Sequence, residues 1–171
     1  MRSQVIKKII FFQKIIMNIL TLGCYEYLLK CRSDNNIDVS RLFIYYNGRI
    51  KDQSKNGQFV IIDKGSSATG CIQALVEHGV CLEEIWPFEE GSKDTMPHDL
   101  AYKGAENSKV TGALAIKVDL NEMKTCLAQG YPFVFGLMLF TSFDRAVKNG
   151  HVPMPKSDEP VRGEHGGFGF I

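Results

Sequence analysis

Apolar and polar positions alternate along this chain with periods that change from segment to segment. Tyr25, Leu28 and Leu29 recur at helical spacing, so residues 25–33 read as the tail of a long helix. Asp34, Asn35 and Asn36 break the pattern with short polar side chains that favour turns. Ser40 stands where its hydroxyl can accept from an orphan backbone N–H, which predicts the cap of a short second helix. Leu42, Phe43, Tyr45 and Tyr46 would be its buried face. Residues 48–64 read as a polar connector with a strand-like run at Phe59 to Ile62.

The pattern turns helical again from Ser67 to His78, with Ile72, Leu75 and Val76 on one face and Gly79 as the terminator. His78 stands beside the last carbonyls of that helix. Trp86 and Phe88 are expected in the core, residues 89–97 form a loop with His98 exposed, and Asp99 to Glu106 form a short helix. Lys109 to Val118 reads as a strand. Asp119 caps a further helix, with Glu122 placed for a variant capping box and Leu120, Met123, Cys126 and Leu127 as the buried stripe. Gly130 stops it, and Tyr131 to Phe140 is an apolar run long enough for a buried strand, in which Gly136 marks a bulge or a close approach.

Composition narrows the picture. A chain of 171 residues fits a single domain. A net charge of +1 supplies no field that would gather nucleic acid, so no nucleic-acid partner is expected. The cysteines at 24, 31, 71, 81 and 126 are odd in number and contain no CxxC pair. A zinc site is therefore not expected; free, mostly buried thiols are, although a disulfide or two stays open. A reducing, cytoplasmic setting is favoured over a secreted or lysosomal one.

The first 24 residues begin basic and turn apolar, as a signal peptide does, but Gln13 and Lys14 interrupt the run and no small-residue cleavage site follows. The run is too short and too broken for a membrane span. Leu20 to Cys24 differs from a lipid-attachment box by one position. The plainest reading is an amphipathic core helix; a signal peptide stays open, as does a segment that diverges from an ancestral N-terminus or comes from a faulty gene boundary.

Several blocks together resemble one family. YEYL (25–28), SRLFIYYN (40–47), GSSATGCIQALVEHGVCLEEIWPF (65–88), DLNEMKTCLAQGYPFVFGLMLFTSF (119–143) and GHVPMPKSDEPVRGEHGG (150–167) are similar, in that order, to segments of the papain-like cysteine peptidases, above all their bacterial and viral branch. The resemblance implies an α+β, two-lobed fold. It divides the chain into a divergent segment 1–24, a helical lobe 25–108, and the start of an antiparallel barrel lobe at 109–171. It implies a peptide or protein substrate and no cofactor or metal, and leaves the oligomeric state open.

The site residues follow from the same resemblance. The family's nucleophile is a Cys at the N-terminus of the long helix, activated by the helix dipole and a His. It precedes the Glu of the YEYL-like run by about ten positions and the Ser of the SRLF-like run by about two dozen. Both counts lead to Ile16, which carries no nucleophile. Cys24, in a Gly-Cys-Tyr step, is the fallback, although it falls about two turns down the helix. Gln4 and Gln13 are the upstream candidates for the oxyanion role. His165 matches the catalytic histidine, with Glu164 in place of a Gly beside it. Gly65 and Ser66 match a turn that presents backbone to an extended substrate. The N-S-W-G-like element that orients the histidine in the family does not occur in the sequence. The resemblance implies peptide-bond hydrolysis through an acyl-enzyme; the missing sulfur implies an inactive homologue, or a non-catalytic protein that keeps the peptide groove.

Overall fold

A computed structural model of the chain describes residues 9–11, 18–34, 36–53, 65–137, 140–143, 151, 153–161 and 167–170. In chain order these form β1 (Ile9–Phe11), α1 (Asn18–Ser33), α2 (Arg41–Gln53), α3 (Ala68–Glu77), α4 (Asp99–Ala105), β2 (Ala113–Ala115), α5 (Leu120–Ala128), β3 (Phe133–Leu137) and β4 (Gly167–Phe170). Single 3₁₀ turns occur at Glu90–Ser92 and Glu106–Ser108.

The helical part is built on α1, α2 and α3. Leu22, Tyr25, Leu28 and Leu29 carry one stripe of α1 into a core shared with Phe43, Ile44, Cys71, Leu75 and Val80. Each large apolar side chain taken fully out of water there contributes roughly 1.5–3 kcal/mol. Tyr25 satisfies its hydroxyl by donating to the Ser108 carbonyl (3.1 Å), so an aromatic body is buried without stranding its polar tip. α1 ends as expected at the polar turn. Asp34 takes a left-handed conformation (φ 55°), and its N–H reaches the Lys30 carbonyl at 2.9 Å.

Ser40 is the cap of α2. Its buried hydroxyl accepts from the Phe43 N–H (3.1 Å) and donates to the Trp86 carbonyl (2.6 Å), tying the helix start to a distant loop. The connector predicted from residue 48 begins later, because α2 continues to Gln53. Gly48 is not a turn residue. A β-carbon there would lie 3.0 Å from Cys71 Sγ, so the glycine lets α2 and α3 approach. Tertiary burial of Tyr46, Asn47 and Arg49 overrides the polar look of the segment. The strand-like run at Phe59 to Ile62 lies outside the described residues.

α3 has Ser67 as its cap and ends at Gly79 with φ 78°. Val76, assigned to the buried face, is 40% exposed. His78 closes the helix through its backbone N–H, which reaches Ala74 O at 2.8 Å. Trp86 packs against the core as expected, but the Phe88 side chain is 62% exposed, while its N–H donates to Glu83 Oε1. His98 is on the surface, yet its Nδ1 accepts from Ala101 N–H (3.1 Å), making it the cap of α4, and its ring meets Trp86 edge-on.

The remaining strands form one sheet of order β2-β1-β3-β4. The incomplete sheet expected of the second half is present, with β3 and β4 antiparallel; its other pairings are parallel, because the N-terminal strand β1 enters it. Residues 1–24 therefore hold a strand and the start of α1 rather than one helix. The strand read at 109–118 shrinks to three residues, and Val118 is 84% exposed. α5 starts as predicted, with Asp119 Oδ1 accepting from the Asn121 and Glu122 N–H groups. Glu122, however, accepts from Lys117 N–H instead of closing a capping box, and Leu120 is 64% exposed. Gly136 is no bulge: the pairing runs Val134–Phe170, Phe135–Gly169, Gly136–Phe168, Leu137–Gly167 without an extra residue.

Candidate functional site

The turn at residues 65–67 is fixed from below by α2. Gly65 sits at φ 80°, a conformation that disfavours a β-carbon. Ser66 is buried, and its hydroxyl and Cys71 Sγ lie 2.9 Å apart. Ser67 donates its N–H to Asp52 Oδ2 (2.6 Å) and its hydroxyl to Asp52 Oδ1, while its Oγ accepts from Gly70 N–H at 2.9 Å. A carboxylate from the last turn of α2 thus clamps the entry to α3. The Ser66 side chain points inward, so a ligand at this turn would meet backbone rather than the hydroxyl. Asp52 was hidden in the sequence inside an apparent connector; the signal that could have found it is its helical spacing from Gly48.

Cys24 is the seventh residue of α1 and has no exposed surface. Burial, with a smaller contribution from Cys126, pushes its thiol up to about 12. Burial also pushes Cys71 up to about 12 and Cys81 up to about 11. Cys126 is raised for the same reason, and its Sγ contacts the Tyr131 carbonyl. All five cysteines are free thiols, as expected, and Cys31 alone among them is exposed. A thiol held near 12 is ionised to roughly one part in 10⁵ at pH 7.

Ile16, His165, Gln4 and Gln13 lie outside the described residues. Their flanks do not, and those flanks converge on β3. β1, before residue 16, pairs with β3 through Ile10–Phe133 and Phe11–Val134. β4, after residue 165, lies on the opposite edge of β3. Upstream of residue 165, Val161 forms a bridge to Phe140. Glu159 fastens that approach, accepting from Thr141 Oγ1 (2.8 Å), the Ser142 N–H and the Lys156 N–H (3.1 Å). These donors hold its carboxyl at about 2, against the effect of desolvation.

Among the described residues, no group of three or more His, Cys, Asp or Glu side chains could hold a metal ion, and no helix is long and apolar enough to cross a membrane.

No protein-family model matches the chain. It is 32% identical over 147 residues to an uncharacterized peptidase C1-like protein of Acanthamoeba polyphaga mimivirus, a match covering 80% of this chain and 46% of the viral protein. Its fold is similar to that of Xylellain, a cysteine protease from Xylella fastidiosa, with a TM-score of 0.66 and 28% identity, over 88% of this chain and 59% of that one. The chain thus spans about half the length of the curated relative it matches.

Proposed function

The chain is a relative of the papain-like C1 cysteine peptidases, and from that premise we propose that it is a catalytically silent homologue that engages an extended peptide without cleaving it. In the family's chemistry a thiolate attacks the scissile carbonyl, and an imidazolium then protonates the leaving amine. The position that would carry the thiolate is Ile16, whose side chain can neither attack nor ion-pair with His165. His165 keeps the residue type of the general acid and base. Removing the nucleophile from such a unit removes nearly all covalent catalysis. Peptide would be met at Gly65 and Ser66 through backbone, as an added strand.

The observation that carries the reading is the state of Cys24. It is the sulfur nearest the start of α1, and full burial disfavours its thiolate. That supports a packing role for it. The test uses the full chain with an epoxide-type thiol inhibitor and peptide amide substrates. The expected result is no turnover and no adduct on Cys24. Ile16→Cys should gain an adduct at residue 16, and Ile16→Cys with His165→Ala should lose most of that gain. Turnover by the unaltered chain that Cys24→Ser abolishes would overturn the proposal.

A further inference from the structure

We propose that the cleft between α1 and residues 36–38 is a binding site for a free α-amino acid with an apolar side chain. The cleft has a volume of about 380 Å³. It is lined by Glu26, Tyr27 and Lys30 of α1 and by Asn36, Ile37 and Asp38 of the loop that follows. Its size lies in the range of small-molecule sites, roughly 300–1,000 Å³. None of these residues belongs to the turn at 65–67, and the inference is independent of whether the chain cleaves peptides.

Glu26 and Lys30 stand one turn apart on α1, in the order that ordinarily gives an i,i+4 salt bridge. No such bridge forms. Glu26 instead pairs with Arg41 at 3.7 Å and accepts from Val39 N–H at 3.1 Å. Asp38 accepts from the same guanidinium at 2.9 Å, so two carboxylates share one cation. Burial raises the Glu26 carboxyl pKa first, and Asp38 adds to it, with Val39 N–H and Arg41 opposing. The negative charge there is incompletely compensated. Lys30 makes no salt bridge among the described residues. It lies roughly 6 Å further along the helix than Glu26, at about 1.5 Å per residue. A zwitterion with its ammonium and carboxylate on one carbon, bonded at about 2.8 Å to each side, bridges two groups that stand too far apart to pair directly. Its ammonium answers Glu26 and Asp38. Its carboxylate answers Lys30, with the Asn36 amide as a second donor. Its side chain lies against Ile37 and Tyr27, a residue left 48% exposed. A simple anion would be repelled by the two carboxylates and a simple cation by Lys30, and the dipolar ligand avoids both.

The test is an NMR titration of the full chain with L-leucine, followed at the backbone amides of α1 and residues 36–38. Half-saturation is expected at or below about 10 mM. N-acetyl-L-leucine lacks the ammonium and L-leucinamide lacks the carboxylate. Each should bind at least about tenfold more weakly, as the loss of a charge-assisted bond entails. Glycine should bind about tenfold more weakly too, since it offers nothing to Ile37 and Tyr27. Lys30→Met keeps an apolar stem at an exposed position and leaves the core untouched. It should weaken L-leucine by about tenfold and leave L-leucinamide unchanged, whereas a purely structural disturbance weakens both alike. Failure of L-leucine to saturate these amides, equal binding of its acetylated form, or equal weakening of both ligands by Lys30→Met would overturn the inference.

Discussion

Gly70→Ala sets two opposed effects against each other at one atom. In an exposed helix interior the substitution would stabilise by about 1 kcal/mol, because alanine loses less backbone entropy than glycine. Gly70 is buried at the crossing of α2 and α3. An added β-carbon would lie 2.5 Å from the Gly48 carbonyl oxygen, 2.6 Å from Asp52 Oδ1 and 2.8 Å from Asp52 Cγ. The first neighbour is backbone and cannot rotate away. The second is the carboxylate that holds Ser67. Relief requires α2 to back off from α3, which loosens the shared packing around Phe43, Cys71 and Leu75 and lengthens the bonds to Ser67. Overpacking costs roughly 1–3 kcal/mol, and weakening a charge-assisted hydrogen bond about 1.5 kcal/mol more. Subtracting the helix-propensity gain leaves a net loss of about 2–3 kcal/mol. That corresponds to a melting temperature lower by roughly 4–12 °C for a chain of this size.

The assay is reversible denaturant unfolding of the full chain with its slope checked for constancy, alongside Gly104→Ala as a matched control. Gly104 also lies in a helix, α4, but its new β-carbon would meet chiefly the end of a flexible side chain, Ile85 Cδ1 at 2.9 Å. That variant should be within about 1 kcal/mol of the parent, on either side. If Gly70→Ala proves as stable as Gly104→Ala, the helix crossing is not held by close backbone approach and the packing argument fails.

Three further predictions concern single groups. Alkylation of the native full chain should stop at one fast adduct, on Cys31, and Cys31→Ser should remove it; mass spectrometry after peptide mapping reads this, and a second fast adduct on Cys24 or Cys71 would contradict their burial. Ser40→Ala should cost about 1–2 kcal/mol in the same unfolding assay, since it removes the α2 cap and strands the Trp86 carbonyl, whereas a change below about 0.5 kcal/mol would refute the dual bond. His78 has its imidazole pKa depressed, first by burial and then by Lys51 and Lys109, with Glu77 opposing. A depressed folded pKa gives stability that is fully present above the unfolded value near 6.5 and lost as pH falls through the folded one. The unfolding midpoint should therefore drop on moving from pH 7.5 to pH 5, and His78→Gln should flatten that slope; an identical slope in the variant would rule the residue out.

Much of the helical part was legible because its signals are local. A serine before an apolar run, an Asp-Asn-Asn turn and a glycine after a helix each act on the few backbone groups beside them, as Ser40, Ser67, Gly79 and Asp119 do here. What escaped depends on partners distant in sequence. Gly48 reads as a breaker until Cys71 stands against it. Arg49 reads as a surface cation, yet it is 1% exposed, paired with Asp94 at 2.6 Å and stacked over Tyr45. Three apolar residues near the N-terminus gave no sign of entering a sheet with residues 113–115 and 133–137, because a strand of that length has no period of its own. Of the site, the turn at 65–66 was legible as a motif, and its fastening by Asp52 was not.

Several residues of the blocks that resemble the family pack and cap. Ser40 bonds two chain segments; the Glu of the YEYL block, Glu26, accepts from Val39 N–H at 3.1 Å; Glu83 holds the backbone of both Arg41 and Phe88. These bonds hold a scaffold and do not by themselves supply a reaction. The helical core is sealed by α1, α2 and α3, whereas β1 and β4 pair with the two edges of β3. Likeness to a peptidase accordingly argues for the fold, and the proposal that no bond is broken is tested at two positions, Ile16 and His165.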